Sequence, residues 1–159
     1  MNEPIVTRTA AADDLERIMA VQIAAGRTSS DGFRAVTEQS IHDPAALVLV
    51  ATQGARRVGW ATTHRSPEPD GAAPAGHYLM GVTVTPAMRR RGIATRLIAE
   101  RLAWIGRRTD RAYYFTNARN AASIASHERW GFRELARAAS FRGVPFDGGE
   151  GVLFSADLR

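Results

Sequence analysis

Short β-branched or aromatic runs and stretches with apolar residues three and four apart lay out the elements of this 159-residue chain. Pro4 to Thr9 is short and β-branched, which suits an edge strand. Leu47 to Thr52 and Val58 to Thr63 read as two strands joined in a hairpin by a Gln-Gly-Ala-Arg turn. His77 to Val84 and the aromatic-rich Ala112 to Thr116 give two more, and the tail adds strands near Phe132 to Phe141 and Gly151 to Ala156, around a Gly-Val-Pro-Phe-Asp-Gly-Gly turn.

The helical period begins after Asp13 and Asp14, where Leu15, Ile18, Met19 and Gln22 share one face of a helix that ends at Gly26. A second helix runs from about Ser30 to Ile41, with Ser29, Ser30 or Asp31 as caps and Asp43-Pro44 closing it. Leu97, Ile98, Leu102 and Ile105 form the apolar face of a helix from Gly92 to about Gly106. A last helix, Asn120 to Trp130, stops at Gly131, a suitable C-terminal cap. Residues 66–76 hold three prolines and two glycines and read as a loop.

The resulting order, β-α-α-β-β-β-α-β-α-β-β, implies an α/β (α+β) chain with a mixed, mostly antiparallel sheet of six to seven strands and helices on both faces. Residues 78–116 form one β-α-β unit, so its two strands should run parallel through a right-handed crossover. A chain of this length with 45% hydrophobic residues fits a single domain spanning 1–159.

Composition removes several function classes. There is no cysteine, which excludes disulfides, thiolate metal sites and a cysteine acyl-enzyme. No segment approaches the roughly 20 apolar residues of a membrane span, and the N-terminus lacks the apolar core of a secretory signal, so a cytoplasmic chain is expected. The net charge of +5 comes from arginines scattered between Arg8 and Arg159, without the basic-aromatic interleaving of a nucleic-acid surface. All 21 basic residues are arginine, which points first to coding bias and only second to bidentate phosphate binding.

One run of arginines stands apart. Val82-Thr83-Val84-Thr85-Pro86 leads through Ala87 and Met88 to Arg89, Arg90 and Arg91, then to Gly92, Ile93, Ala94 and Thr95 at the start of a helix. A helix start exposes four unpaired N–H groups and carries roughly +0.5 charge, so this junction suits a pyrophosphate. The two commonest phosphate motifs, Gly-x-x-x-x-Gly-Lys-Ser/Thr and Gly-x-Gly-x-x-Gly, are absent. Arg89-x-x-Gly92-x-Ala94 resembles instead the acyl-CoA loop, Gln/Arg-x-x-Gly-x-Gly/Ala, of the GNAT superfamily of N-acetyltransferases. The order of elements is similar to that fold over nearly the whole chain.

The resemblance extends to Asn120-Ala-Ala-Ser123-Ile-Ala-Ser-His127-Glu-Arg-Trp-Gly131-Phe132, which looks like the family's Asn-x-x-Ala/Ser-x-x-x-Tyr-x-x-x-Gly-Phe. Residues 120, 123 and 127 share one helix face over about 10.5 Å of rise. It is closest to the phosphinothricin-acetyltransferase-like branch, where histidine also stands at the position held here by His127.

The resemblance implies acetyl-CoA as co-substrate, without a metal, and a parallel strand pair that splays at the centre of the sheet to admit the pantetheine arm. It assigns Arg89 to Thr95 to the pyrophosphate, Val82, Thr83 and Val84 to the pantetheine amides, and Asn120 and Ser123 to a second coenzyme contact. Asn120 could also cap its helix. His127 is the candidate acid for the departing thiolate. A thiol pKa of about 8.5 needs little help, so His127 could equally line the groove.

Mechanism requires a general base, because a free alkylamine has a pKa of about 10.4. Where many relatives carry a glutamate this chain has Tyr78; His77, His64, Glu68 and Asp70 are the remaining candidates. The oxyanion would be met by a backbone N–H where strand 82–84 breaks its ladder, a donor type worth about 3 kcal/mol. Phe33 and Trp60 are candidate acceptor-binding residues, whereas Trp104 and Trp130 read as core. The expected activity is acetyl transfer to a primary amine of a small molecule or peptide by direct attack in a ternary complex, with no nucleic acid or membrane partner. The C-terminal strands could pair two subunits into a homodimer. The competing reading is a non-catalytic acyl-CoA sensor.

Overall fold

A computed structural model describes residues 3–159. Strand β1 (Ile5–Thr9) leads through a 3-10 turn at Ala12–Asp14 into helices α1 (Leu15–Ala24) and α2 (Asp31–His42). Strands β2 (Val48–Gln53), β3 (Arg56–Ser66) and β4 (Gly76–Val84) follow, then helix α3 (Ile93–Gly106), β5 (Arg111–Asn117) and α4 (Ala121–Glu128). The chain closes with β6 (Arg133–Ala138), β7 (Ser140–Phe141), β8 (Val144–Pro145) and β9 (Gly151–Asp157). Seven strands hydrogen-bond in the order β1-β2-β3-β4-β5-β9-β6, and β7 pairs with β8 separately. The sheet is mixed and mostly antiparallel, with β4 and β5 parallel, as the order of elements requires. That parallel pairing covers His77↔Ala112 and Tyr78↔Tyr113 and goes no further along β4.

The ends of the elements follow local chemistry. Gly26, at φ 69°, closes α1 with Arg27 N–H donating to the Gln22 carbonyl at 2.8 Å, a left-handed cap that a residue with a Cβ adopts at a cost. Asp43 is extended before Pro44 and stops α2. The single strand expected near 132–141 is instead two, β6 and β7. The turn after β7 is a two-residue one at Arg142 (φ 48°) and Gly143 (φ 79°), the geometry of a type I′ hairpin. An arginine at positive φ carries no turn signal in a sequence, which is why the turn was expected further on. Loop 66–76 contains one short bridge, Asp70 with Ala73, and is otherwise irregular.

The chain falls into two compact units, each discontinuous in sequence: residues up to His64 with Met80–Arg101, and Arg65–Leu79 with Leu102–Arg159. In the first, Ile18 and Val21 of α1 pack with Val48, Val50 and Trp60, with Phe33 and Ile41 of α2 against them. Trp60 and Gly59 point to opposite faces because successive strand residues alternate. A Cβ on Gly59 would meet Ile93 of α3 at 3.4 Å, so α1 and α2 cover the Trp60 face while α3 covers the other. In the second, β5 pairs with β9 from Arg111↔Asp157 to Asn117↔Gly151, and Tyr114 stacks on Phe154 at 5.3 Å between ring centroids.

Candidate functional site

The β4–α3 junction begins with Thr85, whose N–H donates to the Val58 carbonyl at 2.9 Å. A 3-10 turn at Pro86–Met88 follows, with Met88 buried as its anchor. Arg89 is extended, Arg90 is left-handed at φ 63° and Gly92 at φ 78°. Arg96 N–H to the Gly92 carbonyl, at 3.1 Å, makes Gly92 the N-cap of α3. The amides of Ile93, Ala94 and Thr95 are therefore among those a helix leaves without internal partners. A side-chain oxygen at the N-cap usually takes one of them, and glycine has none. Nothing lies within 4 Å of where a Gly92 Cβ would stand, and Arg89, Arg90 and Arg91 are exposed around it. Open amides, open space and three cations at a positive helix end fit a diphosphate.

The second constellation is built on α4. Asn120 caps the helix, its Oδ1 accepting from Ser123 N–H at 3.1 Å, and its Nδ2 reaches Thr116 Oγ1 at 3.4 Å. Ser123 Oγ lies 2.8 Å from the Tyr114 hydroxyl. His127 is buried, with its ring stacked on Tyr114 at 3.7 Å and 7°. Its Nδ1 faces the Ser123 carbonyl at 2.8 Å, and a carbonyl can only accept, so that nitrogen carries a proton. A proton donated from Nε2 would have to come from the imidazolium. Burial raises the Tyr114 phenol, which stays protonated at neutral pH. Ser123 and His127 are thus turned onto Tyr114, while Asn120 reaches Thr116.

Tyr78 sits in a different role from the base its position suggested. The side chain is fully buried, its hydroxyl donates to the Pro74 carbonyl at 2.6 Å, and burial pushes the phenol above its usual range. A phenol that spends its proton on a carbonyl tethers the loop, and is poorly placed to accept another proton. Arg142 completes the tether, with Nη2 donating to the carbonyls of Glu68 at 2.8 Å and Pro74 at 2.7 Å. Among the other base candidates, His64, Glu68 and Asp70 are exposed. His77 is buried edge-on to Trp104, and burial, then Arg65 and Arg108, lower its pKa.

Trp60 belongs to the core: its ring is 2% exposed, its Nε1 donates to Gln22 Oε1 at 2.8 Å, and Phe33 packs edge-on at 5.6 Å. Phe33 retains partial exposure. Trp104 and Trp130 are half-buried, with the Arg108 guanidinium 3.6 Å over the Trp104 ring. Two charged residues escaped the sequence reading. Asp14, read only as a helix opener, is fully buried and binds Arg8 at 2.7 and 2.9 Å, Arg57 Nε at 2.9 Å and Ala11 N–H at 2.8 Å. Arg101 is fully buried in α3. Its position four residues after Leu97 and three after Ile98 puts it on the apolar face, the one signal that could have found it.

Comparison with known proteins supplies the class. The acetyltransferase (GNAT) family model matches residues 13–132, so the chain belongs to the GNAT acetyltransferase family. Its fold is similar to that of the ribosomal-protein-S18-alanine N-acetyltransferase of Escherichia coli, at 17% identity and TM-score 0.77, covering 98% of this chain and 94% of that one. A Salmonella typhimurium protein described as an acetyltransferase, solved with its cofactor acetyl-CoA, matches at 19% identity and TM-score 0.74, over 98% and 94%. A protein described as a phosphinothricin N-acetyltransferase matches at 18% and 0.74, over 98% and 99%. A sequence search of curated proteins gives no match. Among the described residues no three His, Asp or Glu side chains cluster as metal ligands, and no helix is long and apolar enough to cross a membrane.

Proposed function

We propose that this chain is an acetyl-CoA-dependent N-acetyltransferase, acting as one catalytic domain on a primary amine of a small molecule or peptide. The observation that carries the reading is the α3 start, where Gly92 leaves the first amides open inside a segment matched by the family model. Arg89, Arg90, Arg91, Gly92, Ile93, Ala94 and Thr95 hold the diphosphate, and the backbone of Val82, Thr83 and Val84 pairs with the pantetheine amides. Asn120 keeps a donor, Nδ2, beyond its capping oxygen, and with Ser123 is assigned to the coenzyme. The acetyl thioester supplies the activated acyl group.

In direct transfer the amine nitrogen bonds to the acetyl carbon, the C–S bond breaks, the amine loses a proton and the thiolate gains one. His127 is assigned to the thiolate's proton, given from the Nε2 of its imidazolium form. With the Tyr78 proton committed to Pro74, we assign amine deprotonation to water held by backbone carbonyls. The test is thiol release on mixing acetyl-CoA with a panel of amines: release with at least one supports the reading. The Tyr78 geometry also favours a second reading, a sensor that binds acetyl-CoA and turns over no amine. Coenzyme binding with no thiol released across the panel would support that one instead.

A further inference from the structure

Arg101 is an expensive residue to place where it is. It is 1% exposed, and among the described residues no carboxylate pairs with it. Its Nε donates to the Leu97 carbonyl of its own helix at 3.1 Å. Its Nη1 donates to two sheet carbonyls, Thr62 of β3 at 3.0 Å and Met80 of β4 at 2.8 Å, and its Nη2 has no acceptor. Burial pushes the guanidinium down to about 9, as expected of a cation held only by dipoles. A leucine on this apolar face would serve packing alone as well or better, because replacing a buried charge by a hydrophobe of similar size is often stabilising.

What the charge holds is the irregular point of β4. A carbonyl in a regular strand lies in the sheet and bonds to a neighbouring strand, whereas the Met80 carbonyl is taken by a side chain from the α3 face. The next residue, Gly81, has φ 26°, and a Cβ there would stand 3.3 Å from Trp60 Cη2, on the face opposite α3. A peptide unit is planar and trans, so a C=O and the N–H that follows it point in opposite directions. With the Met80 carbonyl drawn toward α3, the Gly81 N–H is directed to the Trp60 side. Gly81 is exposed, while Leu79 and Thr83 on either side are buried.

We propose that Arg101 is a positioning residue: by holding the Thr62 and Met80 carbonyls on the α3 side, it fixes the Met80–Gly81 peptide so that the Gly81 N–H donates to the thioester carbonyl oxygen. This rests on the acetyl-CoA reading above. Arg101 itself touches neither coenzyme nor amine, and it acts by setting one donor's direction before the coenzyme arrives.

The test is the carbonyl 13C resonance and infrared stretch of acetyl-CoA labelled at the thioester carbon, bound to wild type and to Arg101→Leu, Arg101→Gln and Arg101→Lys. Folding of each variant is checked by its amide spectrum. In wild type the bound carbonyl moves toward the polarised form relative to free coenzyme. Variants that fold bind within about twofold of wild-type affinity, since the diphosphate loop is untouched. They lose that polarisation in the order Lys, Gln, Leu, with kcat falling about tenfold or more in Leu while the KM for acetyl-CoA is unchanged. A merely structural role would move stability and leave the bound carbonyl alone. Should Leu fail to fold, Gln and Lys are compared in the same way. Unchanged polarisation in folded variants, or none in the wild-type complex, overturns the proposal and leaves the acetyl-CoA reading standing. Absence of coenzyme binding to wild type sinks that reading.

Discussion

Helices α3 and α4 start in opposite ways. At α4 the Asn120 side chain takes the Ser123 amide at 3.1 Å, and at α2 the Ser30 hydroxyl takes the Phe33 amide at 3.1 Å. The turn before α1 is closed too, by the Asp14 carboxylate on the Ala11 amide at 2.8 Å. At α3 the corresponding residue is Gly92, with nothing nearby to replace the missing side chain. The α2 and α4 starts are finished by their own side chains and serve stability. That of α3 is left unfinished, which at a glycine N-cap costs only about a few tenths of a kcal/mol and keeps its amides for a ligand.

Exchanging these designs gives the largest expected effect on coenzyme affinity. Gly92→Asp puts a carboxylate where the diphosphate should sit, in a backbone conformation that penalises a Cβ. Coenzyme affinity should fall on the order of a hundredfold by titration calorimetry, about 2.7 kcal/mol. The protein should remain folded, because the site is exposed.

Opening a closed start should reverse the pattern. Asp14→Asn leaves Arg8 and Arg57 without their shared anion and should lower stability by about 3 kcal/mol in denaturant titrations, with coenzyme affinity retained in the folded fraction. The same carboxylate sets an acid limit. Its hydrogen bond from Arg8, with help from Ala11 and Arg57, holds its pKa well below the usual range in the folded chain. That contribution is complete above about pH 4 and is lost as pH falls further, because the unfolded chain takes up the proton first. Melting temperature should therefore drop with acid in wild type and less steeply in Asp14→Asn.

Asn120 separates capping from recognition. Asn120→Ala removes both the capping oxygen and Nδ2 and should destabilise the protein by about 1 kcal/mol. Asn120→Ser keeps a capping oxygen and loses only the amide donor. If Asn120 touches the coenzyme, both variants raise the KM for acetyl-CoA by roughly fivefold, about the net value of one hydrogen bond. An unchanged KM in both would make Asn120 a cap alone. The smallest effect is that of salt: raising ionic strength from 0.05 to 0.5 M should weaken coenzyme binding to wild type by only about threefold, because Arg89, Arg90 and Arg91 are exposed and already screened.

The elements and their order were legible because short apolar, β-branched or aromatic runs mark Val48–Gln53 and Gly76–Val84, a period of 3.6 marks Ile93–Gly106, and glycine and proline mark most breaks. The turn at Arg142 was not, since its left-handed backbone is set by hairpin geometry and not by residue type. The diphosphate loop was legible as a local motif whose function lies in main-chain atoms, so spacing alone encodes it. The long-range partners were invisible. Tyr78 finds its acceptor in Pro74, Trp60 finds Gln22, and Asp14 finds Arg57 forty-three residues away, pairings that only the fold creates. Arg101 shows how a charge at an apolar helical position can flag such a partner in advance.

The account stands on an anion seated at the open start of α3, and amide chemical shifts report on that directly. On adding coenzyme A to 15N-labelled protein, the amides of Arg90 to Thr95 should move strongly while those of Asp31 to Arg34, at the closed start of α2, stay in place. Amides of Arg90 to Thr95 that do not move at saturating coenzyme, in a spectrum that otherwise registers binding, would contradict it.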